Sequence, residues 1–321
     1  MATPLLSALH RADPARPLVL AGRPAQECLF RGLPGVADYL PLEAGWGPGE
    51  ESRMMRRAGA STVLLLPNSW SSALAAWRAG IPRRIGRRRH GRRLLLHRSL
   101  PPVGEPRPMR ALYLDFLDAL AVAPEVQDAS ASDPLVVAVP GAPRTTLPDA
   151  PLLAVAPGAA FGPSKLYPPA RLAEVLRQLA AEDELHPVLL GAPNERPLLE
   201  EIAAAVGPAA ILPSAVDMDL AESSAILARA AVFLGSDAGS RHLASAHGVP
   251  QVVWYGPNDP RWSAHDLGRL TALQVEELDC LGCARRECPL ADHPCMERLP
   301  AARLVEAVRR ARRNPGAWTP G

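Results

Sequence analysis

The sequence predicts an α/β protein that contains two units of parallel β-sheet, and three observations lead to this prediction. The length of 321 residues corresponds to about two domains. Short apolar segments alternate with helical segments along the chain, which is typical of parallel strands joined by crossover helices. The stretch 130–151 is rich in Pro, Ala, Asp and Ser, a composition that favours a linker between the two units.

The elements of the second half follow from apolar periodicity and turn residues. A helix that begins at Pro168 has apolar residues at i, i+3, i+4 and i+7. These residues are Leu172, Val175, Leu176 and Leu179. The further predicted helices cover 197–206, 224–230 and 240–247, and the predicted strands cover 152–156, 187–190, 231–234 and 251–255.

The first half shows a looser version of the same alternation. Its predicted helices cover 5–11, 25–31, 51–58 and 71–79, and its predicted strands lie at 18–21, around Tyr39 and at 62–66. The chain opens in a helix, whereas a doubly wound sheet normally begins with a central strand and a binding loop. We expect that strand and loop to precede Met1. The predicted domains are therefore an incomplete 1–145 and a second domain over 150–300, followed by a helix and tail over 301–321.

Composition excludes several classes of protein. A formal net charge of +2 is too small for a strong field around the whole molecule, so electrostatic binding has to be local. No apolar run reaches the length of a membrane span, and the first residues lack the basic stretch of a signal peptide. Five cysteines, four of them near the C-terminus, do not indicate a secreted disulfide scaffold in a chain of this length. We expect the protein in the cytoplasm.

A single lysine stands in the segment 157–168, between a predicted strand and a predicted helix. Of the 35 basic residues only Lys165 is a lysine, and all the others are arginines. Arginine replaces lysine on most surfaces, but not where a compact ammonium has to reach one oxygen atom. The free N–H groups and positive dipole of a helix start also favour a phosphate. We therefore predict that Lys165 and the hydroxyl of Ser164 bind a phosphate; the alternative is a solvated lysine in a Gly/Pro-rich turn.

The segment 236–242 also links a predicted strand to a predicted helix. Gly239 and Ser240 would present backbone N–H groups at the start of that helix. Asp237 either caps the helix or, as a ligand, faces sugar hydroxyls, because a carboxylate repels a diphosphate. His242 lies one turn into the helix and either reaches the same site or packs against the protein.

Several motifs together resemble glycosyltransferase family 9, the ADP-heptose:lipopolysaccharide heptosyltransferases, and most of all its heptosyltransferase II members. The motifs are Leu-Pro-Asn-Ser from 66, Pro-Gly-Ala-Ala-Phe-Gly-Pro-Ser-Lys-Leu-Tyr-Pro from 157, Ser-Asp-Ala-Gly-Ser-Arg-His from 236 and Arg-Glu-Cys-Pro-Leu from 286. The resemblance runs from Thr3 to about Val308. It implies a GT-B fold, with two Rossmann-like domains that face a central cleft, the acceptor in the N-terminal domain and an ADP-sugar donor in the C-terminal domain.

The resemblance further implies inverting transfer of heptose, or a related sugar, from the ADP-sugar to a lipopolysaccharide core or other surface glycan, with no cofactor required. The donor-binding residues that it assigns are Ser164, Lys165, Asp237, Ala238, Gly239, Ser240 and His242. Two positions depart from the family pattern, because Tyr167 replaces a Trp and Ala238 replaces a Ser or Thr. The family's Gly-Asp loop, whose Asp is the expected general base, has no counterpart after Met1, so we expect the catalytic residue upstream. The alternative is an inactive homologue that only binds the nucleotide sugar.

An arginine run over 83–93 lies on the acceptor side according to the resemblance, as do Asn68 and Ser69. Arg87, Arg88 and Arg89 would meet an anionic glycolipid acceptor or the cytoplasmic face of the inner membrane. The alternatives are a solvated surface run and a nucleic-acid site. Nucleic acid is disfavoured as a partner, because stacking aromatic residues are lacking in the run.

Four cysteines near the C-terminus have a spacing compatible with a single tetrahedral metal site. They are Cys280, Cys283, Cys288 and Cys295. Zinc or an iron–sulfur cluster is plausible from this spacing alone. The resemblance speaks against a metal, because the family shares the cysteines without being metal-dependent. We therefore predict no metal, and keep the four thiols as the alternative.

Overall fold

Two α/β units, residues 1–138 and 139–321, make up the structure, which is a computed structural model. The structure describes residues 1–89, 91–158, 160–214 and 218–314. Ala159 of the lysine-containing segment and the predicted tail beyond residue 314 lie outside these residues.

The division between the units lies inside the predicted linker, before the predicted domain end at residue 145. The Glu222 carboxylate accepts hydrogen bonds from the backbone N–H groups of Arg144, at 2.8 Å, and Thr145, at 2.9 Å. Glu222 is buried in the C-terminal unit, so these two bonds fix the end of the linker to that unit.

Parallel pairing organises the N-terminal unit. Its strands are β1 (Leu18–Gly22), β2 (Val36–Pro41), β3 (Thr62–Leu65), β4 (Arg83–Arg87) and β5 (Arg98–Leu100). Its helices are α1 (Thr3–Ala12), α2 (Glu27–Phe30), α3 (Pro48–Arg56), α4 (Trp70–Arg78), α5 (Met109–Leu120) and α6 (Pro124–Ala131). Strand β1 pairs with β2, and β3, β4 and β5 form a separate ladder in that order. Within residues 1–89 and 91–138 no ladder joins the two groups.

Helix α1 packs against α5 and α6 and supplies part of the core of this unit. Its residues Leu5 and Ala8 are buried together with Phe116 and Leu117 of α5 and Ile85 of β4. Helix α1 therefore belongs to the folded unit, since its apolar face is covered by elements far along the chain.

A single five-stranded parallel sheet forms the centre of the C-terminal unit. Its strands are β6 (Leu152–Ala156), β7 (His186–Leu189), β8 (Ala230–Ser236), β9 (Gln251–Trp254) and β10 (Leu270–Leu273). Its helices are α7 (Pro169–Asp183), α8 (Arg196–Val206), α9 (Leu220–Leu227), α10 (Gly239–Ala246), α11 (Pro294–Glu297) and α12 (Ala301–Arg313). The spatial order is β10-β9-β8-β6-β7, so the chain order reverses between β6 and β8.

The apolar patterns in the sequence account for this unit. All five residues of β6 are buried, as expected for a parallel strand covered by helices on both faces. The predicted apolar face of α7 is confirmed, since all four of its residues are buried. Among the residues that the structure describes, no helix combines the length and the apolar character needed to cross a bilayer.

Candidate functional site

Two loops meet at the carboxyl edge of the C-terminal sheet, one after β6 and one after β8. The strands end side by side, since Ala156 pairs with Gly235. The Ser236 hydroxyl then donates a hydrogen bond of 2.8 Å to the carbonyl oxygen of Gly158. In doubly wound sheets, ligands bind outside the carboxyl ends of the strands where the strand order reverses. The point between β6 and β8 is that position here.

Lys165 is buried at this edge, with only 6% of its surface exposed. Its ammonium donates a hydrogen bond of 2.5 Å to the carbonyl oxygen of Asp237, and it lies 5.1 Å from the centre of the Phe161 ring. Burial lowers the pKa of this ammonium, and the Asp237 carboxylate partly opposes that shift. The alternative of a solvated lysine is therefore wrong.

Asp237 keeps one carboxylate oxygen without a partner. Its Oδ2 accepts a hydrogen bond of 3.0 Å from the Asn258 side chain, whereas its Oδ1 is buried with no hydrogen-bond partner among the described residues. The N-cap of α10 is Ala238, and no side chain caps that helix. The capping alternative for Asp237 is therefore wrong, and an acceptor oxygen is left for a ligand hydroxyl.

The first turn of α10 faces open space next to these side chains. A Cβ atom placed on Gly239 would meet no atom within 4 Å. The turn contains no acidic residue, and its third residue is an arginine, Arg241. A cation at this end of a helix opposes the helix dipole, so the dipole and the guanidinium together favour a bound anion.

Arg241 is completely buried and has no carboxylate as a hydrogen-bond or ion-pair partner among the described residues. Its guanidinium donates to the carbonyl oxygens of Ser263, at 2.9 Å, and His265, at 3.1 Å. It also lies 2.6 Å from Nε2 of His265. The cation is thus held in place by backbone carbonyl oxygens and an imidazole ring, and no carboxylate among the described residues offsets its charge.

His242 lies between these charged groups. Its Nδ1 is 2.8 Å from Nε2 of His265 and 3.2 Å from the Arg241 guanidinium, which are both hydrogen-bond distances. Burial and the nearby charge of Arg241 lower the pKa of His242 well below its usual value of 6.5, and His265 and Lys165 add to the shift. The neutral form of this imidazole is therefore favoured.

The turn that carries Lys165 is braced by the cysteine-rich loop over 280–295. The Ser164 hydroxyl donates to the carbonyl oxygen of Arg285 at 2.6 Å, and the Ser164 N–H donates to the carbonyl oxygen of Arg286 at 3.1 Å. His293 Nε2 lies 2.9 Å from the carbonyl oxygen of Ser164. The predicted hydrogen bond from the Ser164 hydroxyl to a phosphate is therefore wrong for this structure. The hydroxyl hydrogen is donated to the carbonyl oxygen of Arg285 instead.

The four cysteines line one cavity together with Ser164 and His293. Cys295 is buried, and burial raises the pKa of its thiol to about 11, with smaller contributions from Cys288 and the other two thiols. In the described part of the chain, no group of three or more His, Cys, Asp or Glu side chains is arranged to hold a metal ion. The absence of a metal at these four thiols therefore stays a prediction.

On the N-terminal unit, the predicted acceptor residues have separate roles. Ser69 is the N-cap of α4, and its hydroxyl oxygen accepts a hydrogen bond of 3.2 Å from the Ser72 N–H. Asn68 has a buried Oδ1 with no hydrogen-bond partner among the described residues. Of the two residues, Asn68 is therefore the one whose side-chain oxygen lacks a hydrogen-bond partner among the described residues.

The arginine run over 83–93 is divided by the fold. Arg87 is buried, donates to the carbonyl oxygen of Leu112 at 2.7 Å and forms an ion pair with Asp115. The predicted contact of Arg87 with an acceptor is therefore wrong, because its guanidinium is buried and bonded to groups of the N-terminal unit. Arg88 and Arg89 are exposed, as the interpretation of a surface run requires.

Sequence reasoning missed four side chains of the C-terminal site. They are Asn258, Arg241, His265 and Trp254, whose indole N–H donates to the Lys165 carbonyl oxygen at 2.9 Å. Asn258 could have been found, since it follows the turn after β9 at the same edge of the sheet. No local pattern points to His265, which reaches the site from an irregular segment.

The fold defined by the two units is that of the GT-B glycosyltransferases. A solved structure of a glycosyl transferase of family 9 from Veillonella parvula superposes with a TM-score of 0.78 at 17% identity, over 97% of this chain and 92% of that one. The structure of E. coli ADP-heptose lps heptosyltransferase II gives a TM-score of 0.75 at 21% identity, over 98% and 95% of the chains.

The sequence comparisons establish the family. The model of glycosyltransferase family 9 (heptosyltransferase) matches residues 52–293. Lipopolysaccharide heptosyltransferase 2 of Salmonella typhimurium is 30% identical over 72% of each chain. The chain therefore belongs to glycosyltransferase family 9, the heptosyltransferases, as the motifs predicted.

Proposed function

We propose that this glycosyltransferase moves heptose, or a related sugar, from an ADP-sugar to a lipopolysaccharide core or other surface-glycan acceptor, with inversion at the anomeric carbon. One observation carries the donor assignment: the buried cations Lys165 and Arg241 flank the start of α10, and Arg241 has no carboxylate as a hydrogen-bond or ion-pair partner among the described residues. Uncompensated buried charge of this kind is costly unless an anion completes the site. Relatives named for ADP-heptose and for lipopolysaccharide support the same assignment.

The diphosphate of the donor would lie against the ammonium of Lys165 and the N–H groups of Gly239 and Ser240. A diphosphate is the leaving group in this reaction, and its negative charge grows as the bond to the sugar breaks. A cation and helix amides that are already in place stabilise that charge without reorganisation.

The sugar of the donor would lie next to Asp237. Its Oδ1 is buried and lacks a partner, so a sugar hydroxyl that donates to it would satisfy the oxygen. This carboxylate would therefore favour the ADP-sugar over ADP alone.

Inversion requires one displacement at the anomeric carbon. The acceptor hydroxyl forms the new C–O bond, the bond to the diphosphate breaks, ADP leaves, and the hydroxyl proton passes to a base. The acceptor is an anionic glycolipid, for which Asn68 and the exposed Arg88 and Arg89 are the proposed contacts on the N-terminal unit.

The test is transfer from ADP-heptose to a truncated lipopolysaccharide core, with ADP release and the glycolipid product measured together. The anomeric configuration of the product, measured by NMR, reports inversion or retention. Product formation with an inverted anomeric centre supports the proposal. Tight donor binding in calorimetry without any product would favour the inactive nucleotide-sugar-binding homologue, and the absence of donor binding would overturn both.

A further inference from the structure

Four free thiols of the loop over 280–295 line one cavity beside Ser164. The two exposed thiols, the half-buried thiol and the buried thiol are, in chain order, Cys280 and Cys283, Cys288, and Cys295. The sugar transfer proposed above uses none of them. Free thiols that share a cavity are candidates for a disulfide, so the position of such a bond relative to the donor site decides what it would do.

The two carbonyl groups that hold Ser164 lie between two of these cysteines in the chain. The carbonyl oxygen of Arg285 accepts a hydrogen bond of 2.6 Å from the Ser164 hydroxyl, and that of Arg286 accepts one of 3.1 Å from the Ser164 N–H. Both arginines stand in the segment that separates Cys283 from Cys288. A disulfide from Cys288 to either exposed thiol therefore closes a ring that contains both carbonyl groups.

The conformation of this loop depends on a few contacts. Residues 274–293, all of which the structure describes, contain no helix or strand. Ala284 has a φ of +55°, which L residues rarely adopt, and its N–H donates to the carbonyl oxygen of Pro257 at 2.7 Å. The Arg286 carbonyl oxygen packs closely on Gly162, where an added Cβ would lie only 2.5 Å away. A small displacement of this carbonyl group would therefore disturb the turn that carries Lys165.

We propose that the loop is a site of thiol–disulfide exchange, and that a disulfide between Cys288 and one of the exposed thiols, Cys280 or Cys283, releases the turn that carries Lys165. The co-reactant is a small disulfide such as oxidised glutathione. Exposed thiols are accessible to such a reagent, whereas the buried Cys295 is not. The consequence for the donor rests on the proposed function, because it is measured as ADP affinity.

The exchange takes two steps. The thiolate of an exposed cysteine attacks one sulfur of the small disulfide, whose S–S bond breaks, and one thiolate of the reagent leaves. The thiolate of Cys288 then attacks the protein sulfur of this mixed disulfide, and the second thiolate of the reagent leaves. Two protein thiols are oxidised to one disulfide, the small disulfide is reduced to two thiols, and the two protons of the protein thiols pass to the released thiolates.

Tryptic mapping of the full chain tests the chemistry. The protein is incubated with oxidised glutathione, its remaining thiols are blocked with N-ethylmaleimide, and it is digested without reductant. Trypsin separates the two exposed thiols, on peptide 270–285, from the other two thiols, on peptide 287–298. We expect these peptides to be linked, with two glutathione molecules released per chain. Cys288→Ser should abolish the link, and Cys28→Ser, at an exposed cysteine of the N-terminal unit, should preserve it.

The effect on the turn is measured in two ways. Oxidation should weaken ADP binding in calorimetry about tenfold, because the Ser164 hydroxyl and N–H lose their acceptors, and dithiothreitol should restore it. Hydrogen exchange at the Ser164 N–H should become faster in the oxidised chain without nucleotide. Cys288→Ser should show neither change. If the reduced chain does not bind ADP, the proposed function fails, whereas the link and the exchange at Ser164 still decide this proposal.

Three results would overturn the proposal. The first is no link between the two peptides, including the case in which the only disulfide lies within peptide 270–285, since that ring leaves both carbonyl groups outside. The second is a linked chain with unchanged ADP affinity and unchanged hydrogen exchange at Ser164. The third is one zinc or iron ion per purified chain that protects the thiols from glutathione, which would make the loop a metal site. Thermal unfolding of the reduced variants checks that they are folded, and the map of the wild type depends on no variant.

Discussion

Lys165→Met is the substitution that tests the donor site most directly. Methionine has nearly the length of lysine and no charge, so it fills the same space next to the ring of Phe161 without leaving a cavity. The change removes the donor that faces the Asp237 carbonyl oxygen and the diphosphate proposed beside it. We expect weaker ADP binding in a folded chain, with a lower free energy of unfolding because the Asp237 carbonyl oxygen loses its donor.

The magnitude follows from the burial of the ammonium. A hydrogen bond from a charged donor contributes about 1.5–3 kcal/mol, and Lys165 is shielded from water that could replace it. At about 1.4 kcal/mol per factor of ten, ADP should bind about ten- to a hundredfold more weakly. Lys165→Arg should recover only part of this affinity, since a planar guanidinium is longer and cannot act as a point donor in the same space.

Calorimetric titration with ADP measures the wild type and both variants, and Arg177→Met provides a control at an exposed cation on α7. Thermal unfolding without nucleotide shows whether the variants remain folded. If Lys165→Met binds ADP as tightly as the wild type, the buried ammonium serves the fold alone, and the reasoning from its burial fails.

Further predictions concern the neighbouring groups. Asp237→Asn should leave ADP affinity within about twofold but weaken ADP-heptose binding about tenfold or more, measured as the ratio of the two dissociation constants, because only the sugar uses the free oxygen. ADP binding should take up protons, since a diphosphate raises the lowered pKa of His242, and affinity should therefore rise as pH falls. Titrations in buffers of different ionisation enthalpy should show this uptake, and His242→Asn should abolish it. Arg92→Met should lower the free energy of unfolding by about 2–4 kcal/mol in urea denaturation, because buried carbonyl oxygens lose their donor. The exposed Arg93→Met should change it by less than about 0.5 kcal/mol. Gly162→Ala should weaken ADP binding in the same titration, since the residue has φ +149° and a Cβ would lie 2.5 Å from the Arg286 carbonyl oxygen.

The C-terminal sheet could be predicted because its signals are local. The apolar run of β6 and the periodicity of α7 depend on neighbouring residues alone, and the loops that follow strands are recognised by their small residues. Lys165 was found from composition. Its burial could not be predicted, since it depends on Asp237 from a loop more than seventy residues away.

The arginine run shows where sequence reasoning reached its limit. A cluster of arginines in a sequence predicts a solvated surface, yet Arg87 and Arg92 are buried and donate to backbone carbonyl oxygens. Arg87 also forms an ion pair with Asp115 of α5. Those partners come from segments without a charge pattern that points to them. Helix α5 itself, Met109–Leu120, was not predicted, although it covers α1 and holds this arginine.

The brace between the lysine-bearing turn and the loop over 280–295 has a thermodynamic consequence. Ser164 is held by the carbonyl oxygens of Arg285 and Arg286 and by the ring of His293, all more than 120 residues further along the chain. A nucleotide that orders the turn should therefore also stabilise the loop. Because the coupling is reciprocal, a change that loosens the loop should weaken nucleotide binding by the same free energy. The two regions behave as one coupled unit, so the donor site extends in energetic terms to thiols that the nucleotide itself need not touch.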